Sequence, residues 1–323
     1  MCVRSIKRLV WLLGIAVLLV SSPLCAQQAK VLIVYSQIAE PYTTFMQHFH
    51  EALKDADISY QTINLNNREK IVERLLSDHA SETPDALVAV GTVALRAIRT
   101  QKVLDSQIPV FFGMVSDPIG EGVIDAFNAP PKGHFTGVSF SIDIRDRLRD
   151  LKRLLPAAKK IGVIYSTMPQ SVSYKKWIDE VAGEAEFKDF RFIFRRIGMR
   201  PYKDGPTDMI HAAKRHVQDI KDVVDVYLSP NDQMGILPKF AQMVVRDTGK
   251  PVFGLAKKDV QAPKAAFASS APRLSSAGEK LAQQLSDYLA GADFKTLHPT
   301  QPEYDLIINQ QTADLFKIST VGF

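Results

Sequence analysis

Small hydroxyl, carboxyl and glycine residues recur directly after short apolar runs along the chain. Such runs are typical of buried strands in parallel sheets, and ligands of open parallel sheets bind beyond the carboxyl ends of the strands. Side chains of these types can hydrogen-bond a small polar solute, and helices that begin there point free N–H groups at anionic ligand atoms. The candidate ligand-binding residues at these strand ends are Ser36, Gly91, Thr92, Ser116, Asp117, Ser166, Asn231, Asp232 and Gly254.

An ordinary structural use competes with ligand binding for several of these residues. Thr92, Asp117 and the pair Asn231-Asp232 belong to the residue types that cap helices. Pro118 fits the first position of a helix that Asp117 would cap. Both uses stay open for each residue taken singly, but their recurrence at strand ends in both halves of the chain favours a ligand site. We expect the Asp232 carboxylate to hold a ligand ammonium group.

Alternating strands and helices must position these residues. Apolar residues at three- and four-residue steps predict amphipathic helices, which begin near residues 41, 69, 92 and 119 in the first half of the chain and near 172, 207 and 233 in the second. The repeated pattern predicts an α/β fold with two doubly wound parallel-sheet lobes. The predicted strands lie at residues 31–35, 59–65, 86–90, 109–114, 160–165, 190–197, 223–228 and 251–254.

The last third of the chain offers too few elements to bury a core of its own. A strand at residues 265–269, a helix at 274–289 and a strand at 304–309 would instead complete the first two lobes. The chain therefore crosses between the lobes more than once, which predicts a multi-strand hinge. We place residues 29–139 and 267–297 in the first lobe, and residues 140–266 and 298–323 in the second.

Residues 1–26 have the layout of a secretory signal peptide. Three basic residues precede an apolar run from Leu9 to Val20, which is shorter than the roughly 20 residues that a membrane-spanning helix needs. We expect cleavage near Ala26 and export to the periplasm. An uncleaved anchor and a lipid anchor at Cys25 remain as alternatives, although the residues before Cys25 match a lipoprotein signal poorly.

Charge and cysteine content exclude several classes of protein. The two cysteines of the chain, Cys2 and Cys25, fall within the predicted signal peptide, so the exported chain has no thiol for a disulfide, a metal site or catalysis. Without residues 1–26 the net charge falls from +5 to +2, and no run of like charges indicates nucleic-acid binding.

The sequence has no G-x-S-x-G motif and its histidines are dispersed. The basic residues of segment 145–153 predict the exposed face of an amphipathic helix.

Five blocks of sequence, taken together and in order, resemble the ABC transporter substrate-binding proteins of the tryptophan/tyrosine-binding type. That family is a branch of the type I periplasmic binding protein fold. No single block is diagnostic, but the order of the blocks matches the family across nearly the whole exported chain. The blocks are GTVALRA at 91–97, PVFFGMVSDPIGEGVI at 109–124, FTGVS at 135–139, YLSPNDQ at 227–233 and PVFG at 251–254.

The resemblance implies a ligand held in a cleft between two lobes that close by a hinge. It adds Thr136 to the candidate residues and implies that Asp232 faces a ligand amino group. It also implies that backbone N–H groups and the Thr92 hydroxyl face a ligand carboxylate. The chain departs from the family at residues 265–276, where Phe267 replaces a smaller residue. The resemblance therefore does not specify an aromatic amino acid as the ligand.

Together these features predict a non-catalytic, periplasmic solute-binding component of an ABC importer. It would capture a small zwitterionic or anionic, amino-acid-like ligand and deliver it to a permease in the inner membrane. We expect a monomer that needs no cofactor, no metal and no nucleic acid. A sensor that presents its bound ligand to a membrane kinase or chemoreceptor is the alternative, because lobe closure serves both roles. An exported enzyme would need a nucleophile–base pair, and the sequence shows none.

Overall fold

The computed structural model describes residues 28–68, 83–100, 107–198 and 205–323, which form two α/β lobes with one sheet each. The predicted signal peptide at residues 1–26, both cysteines and the predicted helix at 69–79 lie outside the described residues. Within the described ranges, no helix combines the length and the apolar character that crossing a membrane requires.

Five parallel strands form the sheet of the first lobe. Its elements are β1 (Ala29–Tyr35), α1 (Tyr42–Ala52), β2 (Ile58–Asn64), β3 (Ala86–Val90), α2 (Thr92–Thr100), β4 (Val110–Val115) and β5 (Phe135–Ser139). The strand order is β2-β1-β3-β4-β5. Strands β3 and β4 are buried at every residue, because α2 packs on one face of the sheet and α1 on the other. This two-sided cover explains their continuous apolar sequence.

Six strands form the sheet of the second lobe, in the order β11-β10-β9-β8-β6-β7. The elements that follow β5 are α3 (Ile144–Leu154), β6 (Lys160–Ser166), α4 (Pro169–Ala182), β7 (Arg191–Ile197), α5 (Pro206–Ile220), β8 (Val226–Leu228), α6 (Pro238–Thr248), β9 (Val252–Gly254), α7 (Lys257–Val260), β10 (Ala268–Pro272), α8 (Leu274–Leu289), a 3-10 helix (Phe294–Thr296), β11 (Tyr304–Ile308) and α9 (Gln310–Leu315). All pairs are parallel except β10 with β11. Helices α3 and α4 cover one face, and α5 and α6 cover the other.

Three crossings join the lobes: residues 140–143 after β5, residue 273 between β10 and α8, and the segment 297–303 before β11. They run side by side and hydrogen-bond one another. The Ser139 N–H donates to the Thr300 carbonyl at 2.9 Å, and the Arg273 N–H donates to the Glu303 carbonyl at 2.8 Å. Backbone bonds between the crossings give the hinge a defined path.

The structure corrects the expected boundary of the first lobe. Helix α8 packs against α1 in the first lobe, but the strand before it, β10, pairs with β9 and β11 in the second sheet. Residues 268–272 therefore belong to the second lobe, and the chain changes lobes at Arg273. The predicted first lobe includes these residues, because it takes in the whole of 267–297.

Two local predictions also differ from the structure. The strand predicted at 265–269 lies at Ala268–Pro272, because Ala265 and Ala266 are buried against the second lobe without pairing in the sheet. The short helix predicted after Pro118 is a series of turns. There the Asp117 side chain accepts a hydrogen bond from the Gly120 N–H at 2.8 Å, which closes a turn and not a helix.

Candidate ligand-binding cleft

The carboxyl ends of β1 and β3 shape the start of helix α2 in the first lobe. Ser36 is buried, and its hydroxyl accepts a hydrogen bond from the Ala94 N–H at 3.0 Å, so it caps a helix that follows the neighbouring strand. Gly91 has a φ of 91°, and a Cβ there would lie 2.5 Å from the Ser36 Oγ. Ser36 and Gly91 therefore fix where α2 begins, and no larger residue fits at position 91.

Thr92 is the first residue of α2 and lies just after the carboxyl end of β3. It is half-buried, and in the described part of the chain neither its hydroxyl nor its N–H is hydrogen-bonded. The first N–H groups of a helix lack intrahelical partners and attract anions. The ring of Tyr42 lies beside this point, since a Cβ at Gly91 would be 2.8 Å from the Tyr42 Cε1, and burial raises the pKa of the Tyr42 hydroxyl. Tyr42 is a further residue at this position that the candidates predicted from the sequence do not include.

The loop after β4 brings Ser116 and Asp117 to the same edge. Asp117 is 4% exposed, and its carboxylate closes the turn to Gly120 described above. A Cβ at Gly120 would clash with that carboxylate and would lie 3.0 Å from the Ser173 Oγ on α4. The loop therefore approaches the second lobe across the cleft. The Ser116 carbonyl accepts a hydrogen bond from the Ser141 hydroxyl at 2.7 Å.

Thr136 is the first-lobe candidate that the structure does not bring to this edge. It is fully buried, pairs with Phe111 and lies three residues before Ser139, where β5 ends. Its hydroxyl donates to the carbonyl of Leu297. Thr136 thus ties β5 to the third crossing. The other five first-lobe candidates, which follow β1, β3 and β4, lie at the strand ends without it.

Asp232 is the centre of a buried hydrogen-bond cluster in the second lobe. Its Oδ2 accepts from the hydroxyls of Ser166 and Ser171, each at 2.9 Å. Its Oδ1 accepts from the N–H groups of Met234 at 3.0 Å and Gly235 at 3.1 Å. The side chain is 4% exposed, and burial raises the pKa of the carboxyl group against the opposing effect of these donors. Both oxygens are therefore already bonded within the protein.

This cluster gives Ser166 and Asp232 a structural use. It joins the end of β6 and the first turn of α4 to the loop that follows β8. If Asp232 contacted a ligand amino group as predicted, its carboxylate would have to give up one of these four hydrogen bonds for the new one. Ser171 belongs to this cluster but is not among the candidates predicted from the sequence. Its position was the available indication, because it lies in the first turn of the helix that follows Ser166 at the end of β6.

Asn231 lies next to this cluster and reaches the first crossing. Its side chain is 5% exposed, and its Nδ2 donates to the Ser141 Oγ at 3.0 Å. Asn231 and Ser116 therefore bond to the same hydroxyl group from opposite lobes. The sequence analysis named both residues but gave no reason to connect them through Ser141.

Gly254 ends β9 and makes room for a buried carboxylate. A Cβ there would lie 2.5 Å from the Asp259 Oδ1, while the Asp259 Oδ2 accepts from the Leu255 N–H at 2.6 Å. The Gly254 carbonyl accepts from the Arg147 Nη1 at 2.9 Å. Arg147 is 3% exposed, so the predicted exposed basic face of α3 does not include it. Burial raises the pKa of Asp259 to about 7, and Arg147 opposes this rise.

The surroundings of Asp259 include two more buried polar groups. Ser229, Gly254 and Ser269 lie in one row across β8, β9 and β10, because Leu228 pairs with Phe253 and Ser269 pairs with Gly254. The hydroxyls of Ser229 and Ser269 and the Oδ1 of Asp259 have no hydrogen-bond partner among the described residues. A neutral Asp259 carboxyl group suits this position better than an ionised one.

The two sheets thus present different edges to one cleft. Every candidate except Thr136 lies at or just after the carboxyl end of a strand, as ligand binding in open parallel sheets requires. The described residues contain no group of three or more His, Cys, Asp and Glu side chains that could hold a metal ion. The candidate positions offer hydroxyl groups, backbone groups and buried carboxyl groups.

Comparison with known proteins decides the family. The family described as ABC transporter substrate binding protein matches residues 41–320. The chain belongs to this family. Among characterised proteins, a tyrosine-binding protein of Clostridioides difficile (strain R20291) is 24% identical to this substrate-binding protein over 273 residues, which cover 82% of this chain and 74% of that one.

Solved structures of substrate-binding proteins share the fold. An ABC domain from Streptococcus pneumonia in complex with L-Trp has a TM-score of 0.66 at 18% identity and covers 90% of this chain and 95% of its own. A ligand-free, open substrate binding protein with adhesive properties from Clostridium difficile has a TM-score of 0.71 at 19% identity, with 91% and 96% covered. The predicted two-lobed, type I periplasmic binding protein-like fold and the family resemblance are confirmed.

Proposed function

We propose that this chain is the periplasmic solute-binding component of an ABC importer. It captures a small ligand between its lobes and delivers it, as a monomer, to a permease in the inner membrane. The observation that carries the proposal is the start of α2 at the carboxyl edge of the first sheet, where Thr92 forms no hydrogen bond with the other described residues. Export after cleavage near Ala26 is part of the proposal.

The ligand in this proposal is zwitterionic or anionic and resembles an amino acid. A carboxylate suits the first N–H groups of α2 and the Thr92 hydroxyl, because a helix N-terminus favours negative charge. Tyr42 adjoins this position and offers both a ring face and a hydroxyl group. The names of two relatives, one tyrosine-binding and one in complex with L-Trp, support an amino-acid ligand.

Asp232 contributes indirectly in this proposal. Four donors already hold its carboxylate, so it shapes the loop after β8 and does not form an ion pair with the ligand. Ser36 and Gly91 act in the same way on the first lobe, where they set the start of α2. Direct contacts are expected from groups without internal partners, and Thr92 is the first of these.

Binding without catalysis is the role that family membership supports. The buried carboxylates of Asp117 and Asp232 accept hydrogen bonds from backbone N–H groups, which gives them a structural use at the strand ends. The sensor alternative depends on the same lobe closure. No observation on the described residues favours it over transport.

A thermal-shift screen of the purified, ligand-stripped protein tests the proposal. The panel contains amino acids, small organic acids, nucleosides and sugars. A ligand at 100 times its dissociation constant stabilises the folded state by about 2.7 kcal/mol, which raises the melting temperature by a few degrees. We expect shifts from amino acids or related carboxylates. If only sugars or nucleosides raised the melting temperature, the proposed ligand class would be wrong. The absence of a shift with every compound in the panel would contradict it as well.

A further inference from the structure

The hydroxyl group of Ser141 is bonded to both lobes at once. Ser141 lies in the first crossing, between β5 and α3. It donates to the Ser116 carbonyl of the first lobe at 2.7 Å and accepts from the Asn231 Nδ2 of the second lobe at 3.0 Å. A continuous hydrogen-bonded path therefore runs from the end of β4 to the loop after β8.

The first lobe holds the backbone of Ser141 in place. The Ser141 N–H donates to the Ser139 Oγ at 2.9 Å, and that hydroxyl donates to the Val115 carbonyl at 3.2 Å. The Ser141 carbonyl accepts from the Gln301 Nε2 of the third crossing at 3.3 Å. Ser141 therefore moves with the first lobe and with the hinge.

Asn231 is held equally firmly by the second lobe. The adjacent Asp232 fastens this loop to β6 and α4 through Ser166 and Ser171. The bond between Ser141 and Asn231 thus joins two rigid parts that a hinge rotation would separate. A second approach between the lobes, from Gly120 to Ser173, accompanies it in this arrangement. The hydrogen bond and this approach show that the two lobes touch each other here.

We propose that Ser141 is a positioning residue for lobe closure. Its bond to Asn231 forms when the lobes meet and breaks when they separate, so it favours the closed arrangement before any ligand arrives. Asn231 is buried and Ser141 is half-buried in this arrangement, so the bond is partly shielded and is worth more than one formed in water. The consequence for capture rests on the proposed function, but the effect on closure does not.

Single-molecule energy transfer on the ligand-free full chain tests this proposal. Dyes are attached to cysteines introduced at Ala39 and Lys176, which are exposed on opposite lobes beyond the ends of β1 and β6, with Cys2 and Cys25 replaced by serine. We expect a short-distance population in the parent protein. Ser141→Ala should reduce its ratio to the long-distance population about fivefold, because one shielded hydrogen bond is lost.

Matched variants separate closure from general stability. Ser141→Thr keeps the hydroxyl and should retain the parent distribution, as should Ser59→Ala on the distant strand β2. Asn231→Ala should reproduce the effect of Ser141→Ala, and the double variant should show no further loss, because both changes remove the same bond. Three results would overturn the proposal: an unchanged distribution in Ser141→Ala, additive effects in the double variant, or no short-distance population in the parent protein. The energy-transfer experiment contains no ligand. Its outcome therefore does not depend on whether the ligand screen of the proposed function succeeds or fails.

Discussion

The two lobes place polar residues at the same cleft but use them differently. In the first lobe, Ser36 and Gly91 set a helix start at which Thr92 forms no hydrogen bond within the part of the chain that the structure describes. In the second lobe, Asp232 and Asn231 are buried and bonded within the protein. Residues of similar type at strand ends thus leave one lobe with a helix start that could contact a ligand, as proposed, and give the other a hydrogen-bonded support. Strand-end position alone does not distinguish these roles.

Replacing the Asp232 carboxylate should produce the largest loss of stability. Asp232→Ala leaves two hydroxyl and two amide donors without their shared acceptor, so we expect a loss of about 3 kcal/mol in unfolding free energy. Urea denaturation of the ligand-free protein measures this loss. Asp222→Ala, at an exposed position, is the control and should be near neutral. An unchanged ligand-free stability combined with weakened ligand binding would mean that Asp232 is a direct ligand contact after all.

The general organisation was predictable because it depends on local patterns. Continuous apolar runs marked β3 and β4, and the strand ends followed directly from them. The roles of the end residues were not predictable, because their partners are distant in sequence. Ser166 and Asp232 are 66 positions apart, and Thr136 and Leu297 are 161 apart.

Strand β10 illustrates a second limit of sequence patterns. Its sequence, Ala-Ser-Ser-Ala-Pro, is poor in the β-branched and aromatic residues that predict strands. It forms a strand because β9 and β11 pair with it on either side and because the Ser270 hydroxyl donates to the buried Asp150 at 2.9 Å. Tertiary pairing of this kind leaves no periodic trace in the sequence, which is why the lobe boundary was misplaced.

Asp259 should give the second lobe a measurable pH dependence. An unfolded aspartate ionises near pH 4, whereas burial holds the folded pKa at about 7. Between these values the unfolded chain loses its proton first, so stability falls as pH rises and the loss is complete above pH 7. Asp259→Asn keeps an acceptor for the Leu255 N–H and removes this loss. A shift of about three pKa units corresponds to about 4 kcal/mol, so we expect a gain of that order over the parent protein at pH 8 and little gain at pH 4.

Denaturation series at pH 4, 6 and 8 on both proteins check this expectation. Asp232 also has a pKa raised by burial, but it is present in both proteins and cancels in the difference. An advantage of Asp259→Asn that is the same at all three pH values would show that Asp259 does not titrate in this range.

A methyl group at Gly91 should disturb the first lobe more mildly. Gly91→Ala forces a Cβ against Ser36 and Tyr42 at a φ of 91°, so we expect a loss of about 1–2 kcal/mol in stability. Because the start of α2 shifts, ligand affinity should fall as well. Gly183→Ala is the matched control, since a Cβ there meets nothing within 4 Å. Equal behaviour of the two variants would show that Gly91 does not shape the helix start.

The affinity of a Thr92→Val variant tests the central claim most directly. Titration calorimetry with the ligand that gives the largest thermal shift would compare the parent protein, Thr92→Val and Thr62→Val, whose threonine is exposed on β2. We predict that Thr92→Val binds about tenfold more weakly, since a hydrogen bond to a charged ligand group is lost, while its ligand-free stability is unchanged. Parent-like affinity in Thr92→Val would contradict the assignment of the ligand contact to the start of α2.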